Sequence, residues 1–368
     1  MFRIVIIAAL LLIGAGVFFY FRHTMPRFCR AWGIGSKAGR VLRIMVPILA
    51  AAALAGAFSL AGILYLHFIL LWILTELAVL LIKKLSKKPC KKLLRGVYSA
   101  LPALLLTAVV GLYGYGNMRH IVRTDYTVET GKALQKDYTV VLMADIHYGN
   151  AVDSEKLQSL CEEVNALAPD VLLLGGDMAD ESTTAGELTE LFTLLDGVES
   201  TYGTYYVSGN HDKGSYRRSG AGNAIETVLA STRIRYLQDE SVPLGEDLLL
   251  VGRRDASEKE RLPVSDLLSA ADNERFILVL DHQPREYAES AAAGVDLQLS
   301  GHTHAGQVFP AGLLTEPFGS ELNYGLKAIG SFRAIVTSGV SGWGFPFRTE
   351  KHSEYVVIHI QPEGGANG

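Results

Sequence analysis

Five short segments of the chain hold side chains that ligate metals: Asp145-Ile146-His147, Gly175-Gly176-Asp177, Gly209-Asn210-His211-Asp212, Asp281-His282 and Gly301-His302-Thr303-His304. They contain five of the ten histidines. Taken singly, most say little. An Asp-x-His after a strand is common, Gly-Gly-Asp is a turn signal, and Asn-His-Asp suits a hydrogen-bonded loop. A histidine two residues before Pro284 is ordinarily a surface or core residue. Gly-His-Thr-His is the strongest, because two imidazoles flanking one residue at a strand end can reach adjacent metals. Jointly the five point to a pair of divalent cations and to hydrolysis of phosphate esters. Two such ions a few ångströms apart repel, so a shared carboxylate is needed between them. Once held, the pair makes water a usable nucleophile near neutral pH and clamps both oxygens of an in-line displacement. Mixed imidazole, carboxylate and amide ligands suit Mn, Fe or Zn better than Ca.

Four of the segments directly follow apolar runs of strand length, 138–144, 171–174, 276–280 and 295–299, and the fifth follows 205–207. A sheet whose strand ends meet would gather them in the crevice beyond those ends. Further strands are expected at 124–130, 247–251, 333–336 and 355–360, and helices at 153–167, 187–195, 223–231 and 285–293. Short strands alternating with helices indicate an α/β layered fold.

The chain has 368 residues, 49% of them hydrophobic, and a net charge of −4 that hides a division near residue 120. Residues 1–123 hold sixteen Lys/Arg and a single acid, Glu76, a balance of +15; of the total 34 and 38, this leaves 18 basic and 37 acidic residues, −19, in the remainder. So acidic a domain lacks the basic footprint that nucleic acid requires. The three cysteines, Cys29, Cys90 and Cys161, fit no zinc spacing, and no structural disulfide is expected.

Residues 4–21 are uninterruptedly apolar, too long for a signal-peptide core and without a small-residue cleavage site. Residues 44–82 suffice for two bilayer crossings at about 20 residues each, with a turn near Ser59–Gly62, and 97–115 form a fourth run ending in Tyr113 and Tyr115. Pro47 and Pro102 are tolerated in such spans. Arg22, Arg27, Arg30, Lys37, Arg40 and Arg43 fill the first loop, and Lys83, Lys84, Lys87, Lys88, Lys91, Lys92 and Arg95 the third. Both should stay cytoplasmic, placing the N-terminus and the C-terminal domain outside; Arg119 and Arg123 weigh against this orientation. The expected organisation is a four-helix transmembrane anchor (1–120), a catalytic domain (121–361) beside the bilayer, and a Gly-rich flexible tail (362–368). Glu76, an intramembrane carboxylate, is a functional candidate by default. The plainer reading has it, like His67, near the cytoplasmic end reaching headgroups or a neighbouring helix.

From about 124 to 361 these residues resemble the calcineurin-like metallophosphoesterases, most closely a bacterial membrane-associated branch whose signature ends GHTHxGQ, here Gly301 to Gln307. The resemblance implies a metallophosphoesterase fold, a two-sheet β-sandwich flanked by helices, with the metals at the strand ends. It implies that Asp145, His147 and His304 hold one metal, that Asn210, His282 and His302 hold the other, and that Asp177 bridges them. His211 would face the substrate, protonating the leaving oxygen or stabilising phosphoryl charge, with Asp212 orienting it. The phosphoprotein phosphatases of this superfamily continue as GDxVDRG and GNHE. This chain has Gly176-Asp177-Met178-Ala179-Asp180-Glu181 and Gly209-Asn210-His211-Asp212, without the phosphate-gripping arginine, which argues against protein phosphatase activity. Asp281, directly before His282, replaces an expected small residue and is either a partner of the site or exposed.

The leading expectation is a phosphodiesterase or pyrophosphatase on the outer side of the cytoplasmic membrane, acting on a lipid-linked phosphate or a nucleotide-sugar lipid. The superfamily's UDP-diacylglucosamine hydrolases are similar in this respect. A phosphomonoesterase or nucleotidase, and a membrane sensor with a structural metal site, are the alternatives. Specificity loops are placed at 213–223 and 310–327, with Tyr148, Tyr216 and Arg217 as weaker candidates for the pocket.

Overall fold

In a computed structural model, the structure describes residues 2–56, 59–86, 91–180, 182–213, 224–269 and 274–364, with side chains from residue 11 onward except that of Ala55. The chain divides into two compact units, 1–113 and 114–368.

The first unit is helical: α1 (Phe2–Ala31), α2 (Ser36–Ala52), α3 (Leu60–Ser86), α4 (Lys91–Tyr98) and the greater part of α5 (Leu101–Arg119). Among the described residues, two helices are long and apolar enough to cross a membrane, α3 and α5. Four crossings are therefore not established. α2 has only 17 residues and begins with Lys37, Arg40 and Arg43 in its first half, whereas a crossing needs about 20 apolar ones. The expected first loop is largely helix as well, since α1 continues through Arg22, Arg27 and Arg30. Lys87 and Lys88 of the third loop lie outside the described residues. Leu105 and Leu112 of α5 are 67% and 76% exposed, a surface that costs free energy in water and none in lipid. Inside the unit, Trp72 packs edge-on against Phe21 and Tyr20. Glu76, buried on α3, accepts hydrogen bonds from Tyr98 at 2.7 Å, Tyr20 at 3.1 Å and Arg27 at 3.3 Å. It thus serves neighbouring helices. His67 Nδ1 lies 2.8 Å from the carbonyl of Ile63, one turn back.

The second unit runs β1 (Ile121–Thr130), β2 (Tyr138–Met143), α6 (Ser154–Ala166), β3 (Val171–Leu174), α7 (Ala185–Asp196) and β4 (Thr204–Tyr206). It continues α8 (Ala224–Leu229), β5 (Arg235–Tyr236), β6 (Glu240–Leu244), β7 (Leu248–Gly252), α9 (Val264–Leu267), β8 (Phe276–Leu280), α10 (Tyr287–Ala292) and β9 (Leu297–Ser300). After α11 (Gly312–Thr315) come β10 (Gly325–Ile329), β11 (Phe332–Val336) and β12 (Ser353–Pro362). Asp153 caps α6 by accepting from Lys156 N–H, and Thr184 with Glu187 forms a capping box on α7; each satisfies donors that a helix start leaves open.

Two mixed sheets of six strands result, ordered β1-β12-β2-β3-β4-β5 and β10-β11-β9-β8-β7-β6. Period-two alternation assigns each apolar side chain to a layer. Val140, Leu142, Leu173, Leu278, Leu280 and Leu299 meet between the sheets. Val141, Met143, Leu172 and Leu174 face α6 and α7 through Leu157, Leu160, Leu188 and Phe192. On the far side Ile277 and Val279 cover Val264 and Tyr287 of α9 and α10. The fold is an α/β sandwich of four layers. β2, β3 and β4 are parallel to one another, as are β7, β8 and β9. The C-terminal ends of both parallel sets therefore carry the segments of interest.

Candidate metal centre

Each metal-liking segment begins where a parallel strand stops, and the loops bond to each other before any ion is considered. The N–H of Asp145 donates to the carbonyl of Gly176 (2.9 Å), that of His147 to Asp177 (3.1 Å), and that of Gly301 to His282 (3.0 Å). These bonds continue the ladders past the strand ends and fix the loop spacing.

Two groups of candidate ligands result, Asp145 with His147 and His304, and Asp177 with His282 and His302. Within each group, one ligand atom per residue lies within 4.8 Å of the others. His282 Nε2 is 3.0 Å from Asp177 Oδ2 and His304 Nε2 is 3.8 Å from Asp145 Oδ1. His147 Nε2 of the first group is 3.9 Å from Asp177 Oδ2 of the second, which sets that carboxylate between the two. The amide oxygen of Asn210 and Nδ1 of His304 are buried without a hydrogen-bond partner. Buried polar atoms ordinarily have one, so an absent cation fits the oxygen. The donor set as a whole suits divalent ions of the Mn, Fe and Zn type. Asn210 is held beside these groups by its neighbour, since His211 N–H donates to Asp177 Oδ1 at 2.8 Å.

Five of these residues, Asp145, His147, Asp177, His302 and His304, have positive φ between 42° and 72°. Non-glycine residues take this conformation at a cost and only where the surroundings impose it, commonly at functional sites. The glycines beside them are required by close approach. A Cβ on Gly301 would stand 2.3 Å from Asp145 Oδ2, and one on Gly209 would stand 2.1 Å from Asp177 Oδ1.

Burial acts on all the ionisable groups, and their mutual charges decide the outcome. Burial, reinforced by Asp177, raises the Asp145 carboxyl to about 7 despite the opposing pull of His282. It acts on Asp177 in the same sense, but His282, His147 and His211 override it and hold that carboxyl far below the usual range. His282 is correspondingly raised, because Asp177, Asp145 and Asp255 outweigh its desolvation. Burial, aided by His282, lowers His302 to about 4, and burial with His147 beside it also depresses His304. Both are thus neutral, the form that ligates metals.

His211 stacks beside the rim: its ring centroid is 5.2 Å from that of His147 and 5.6 Å from that of Trp343. Asp212 is buried and accepts from the N–H groups of Gly209 (2.9 Å) and Ala179 (3.1 Å). It therefore fixes the loop carrying Asn210 and His211. Asp281 is fully buried, accepting from Arg253 at 3.2 Å and from Arg261 at 2.5 Å and 3.0 Å. That ion pair anchors the β8 end from which His282 projects. Tyr148 is buried with its hydroxyl donating to Glu190 at 2.8 Å, so it serves the scaffold. Tyr216 and Arg217 lie outside the described residues.

Sequence reasoning missed Arg348, Gln307 and Trp343. Arg348 is fully buried and donates to the carbonyls of His304 (2.9 Å) and Ser338 (2.8 Å). Gln307 donates to the carbonyls of Trp343 and Phe347 and accepts from Trp343 N–H. The glutamine that closes the signature was the one available sign of this second loop.

Residues 138–306 match the family profile described as calcineurin-like phosphoesterase. Over that segment the chain resembles the calcineurin-like phosphoesterases. A metallophosphoesterase of Helicobacter pylori is 32% identical over 63% of this chain and 62% of its own length. "Transmembrane protein with metallophosphoesterase domain" of Danio rerio is 29% identical over 70% of this chain and 62% of its own. Bacillus subtilis YkuE, a metallophosphoesterase, is 26% identical over 76% of this chain and 99% of its own. The chain thus spans less than two thirds of the first two. The two ligand groups lie within the matched segment.

Proposed function

We propose that the chain is a membrane-anchored, dinuclear phosphoesterase that cleaves phosphodiester or pyrophosphate bonds, with a lipid-linked or nucleotide-sugar lipid substrate. The observation that carries this is the pair of ligand groups converging around Asp177. Asp145, His147 and His304 would hold one ion, Asn210, His282 and His302 the other, and Asp177 both. Two bound cations would supply Lewis acidity toward the phosphoryl oxygens and a nucleophile at neutral pH. His211, on the open side of the site, gives a proton to the leaving oxygen or stabilises phosphoryl charge. Asp212 and Asp281 act as positioning residues, one through loop amides and the other through buried arginines.

The anchor supports a lipid substrate. Only His120 separates α5 from β1, and the Danio rerio relative is described as transmembrane. The basic residues between α3 and α5 favour the cytoplasm. α5 would then lead the catalytic domain to the outer side.

Metal analysis of the purified full chain, with turnover on matched phosphodiester, pyrophosphate and phosphomonoester substrates, tests the proposal. Two bound metals and a preference for diesters or pyrophosphates are expected. Preference for monoesters would replace this reading with that of a nucleotidase. Two metals with no hydrolysis of any ester would leave a structural metal site.

A further inference from the structure

The helical unit contains a cleft of about 710 Å³ where the ends of α1, α3 and α4 meet. Five cations line it: Arg27, Arg30, Lys83, Lys91 and Arg95. Two are engaged within the protein. Arg27 pairs with Glu76 at 3.3 Å, and Arg95 donates to the carbonyl of Ala31 at 3.3 Å. Arg30, Lys83 and Lys91 find no carboxylate, for a reason of composition. Of the sixteen Lys/Arg in residues 1–123, all but Arg119 and Arg123 fall in this unit, leaving fourteen against Glu76 alone. Glu76 already accepts from Tyr20, Arg27 and Tyr98. The counter-charge must come from outside the unit.

The position of the cleft indicates its form. α3 is apolar from Leu60 to Ile82 except at His67, Thr75 and Glu76, and turns basic at Lys83 and Lys84, so in a bilayer the cleft lies at headgroup depth. Its wall includes Leu80 and Leu94 next to the cations, an apolar flank below a polar mouth. We propose that this cleft binds the phosphate headgroup of an anionic phospholipid, with Arg30, Lys83 and Lys91 as the principal contacts and Leu80 and Leu94 beside the start of the acyl chains. Clustered cations near a membrane surface attract anionic lipid, and guanidinium groups recognise phosphate by directed hydrogen bonds. The inference rests on the membrane setting of α3 and not on the chemistry of the metal centre.

The full chain in detergent micelles is titrated with phosphatidylglycerol or phosphatidylcholine, and bound lipid is counted by native mass spectrometry. The variants are R30Q/K83Q/K91Q and, with the same charge change elsewhere, K37Q/R40Q/R43Q. Wild type and the second variant should retain phosphatidylglycerol in preference to phosphatidylcholine. The first variant should bind phosphatidylglycerol roughly a hundredfold more weakly, since each of the three cations lost is worth about fivefold. Hydrolysis by the same preparations reports whether the catalytic domain is intact. If the triple variant does not purify, Lys83→Gln alone should show the fivefold loss. Equal weakening in both triple variants would mean diffuse attraction and overturn the site, as would equal binding of the two lipids. Displacement by inorganic phosphate at the concentration of the lipid would assign the cleft to a free anion instead.

Discussion

Asp177 has the most demanding position in the site. Its Oδ1 accepts the backbone N–H of His211 while its Oδ2 lies 3.0 Å from His282 and 3.9 Å from His147. An amide in its place keeps the shape but brings an NH2 donor group where cations belong and removes the shared charge. Asp177→Asn should therefore lose bound metal and roughly a hundredfold or more of turnover, read by elemental analysis and by hydrolysis of a chromogenic diester. Full activity with two bound metals would remove Asp177 from the bridging role. His211 differs, because its ring lies beside Trp343 at the rim. His211→Gln should keep its metals and fold while losing about 10²- to 10⁴-fold in kcat, the usual range for a lost proton donor. Parallel loss of metal and rate would make it a ligand. Ligand types and order were visible in the sequence because chemistry restricts them to Asp, Asn and His. The positive φ of Asp145, His147, Asp177, His302 and His304 was not, because left-handed backbone at non-glycine residues is imposed by surrounding contacts.

At the scale of elements, strands and loops share the task of holding these residues. β2, β3 and β8 alternate between two apolar layers, so their registers are fixed by which side chains reach the central core. Leu280, the last residue of β8 and fully buried, sits two positions before His282. Leu280→Ala should cost about 2–5 kcal/mol, seen as a lower urea midpoint with unchanged slope. The loops are held by polar bonds instead. Arg348 satisfies carbonyls of two of them, and burial lowers its guanidinium to about 10. Arg348→Met would leave those carbonyls unsatisfied and release the backbone of His304. Its metal affinity should fall about 10- to 100-fold, as for other groups that orient ligands, in a competition titration with a chelator. Unchanged affinity would reduce Arg348 to a packing role. Long apolar runs such as Phe276–Leu280 could be read as strands directly. Short β5 and the largely exposed β6 and β10 could not, since they lack a continuous buried run. The helical unit misled for a related reason. Runs of Lys and Arg look like loops, yet both are good helix formers, and α1 continues through three arginines to Ala31.

At the scale of the whole molecule, charge is divided between an N-terminal part of +15 and a C-terminal part of −19. A phosphate ester approaching the acidic domain is repelled unless bound cations reverse the local field. On the proposed membrane setting, the same asymmetry would orient the chain, because cations flanking a span are retained on the cytoplasmic side while acidic domains are translocated without comparable bias. The seven Lys/Arg between Lys83 and Arg95 precede α5 with no acid among them. They outweigh Arg119, the last residue of α5, and Arg123 beyond it, which stand against thirty-seven acids in the domain that follows. A cysteine placed at Gln158, exposed on α6, should accordingly react with a membrane-impermeant maleimide in intact cells. The native Cys161 is buried and contributes little background. Labelling of Gln158→Cys only after lysis would place the domain in the cytoplasm and require α5 to run the other way. The phosphoesterase reading would survive that result, because it depends on the convergence around Asp177, but a substrate on the outer leaflet would not.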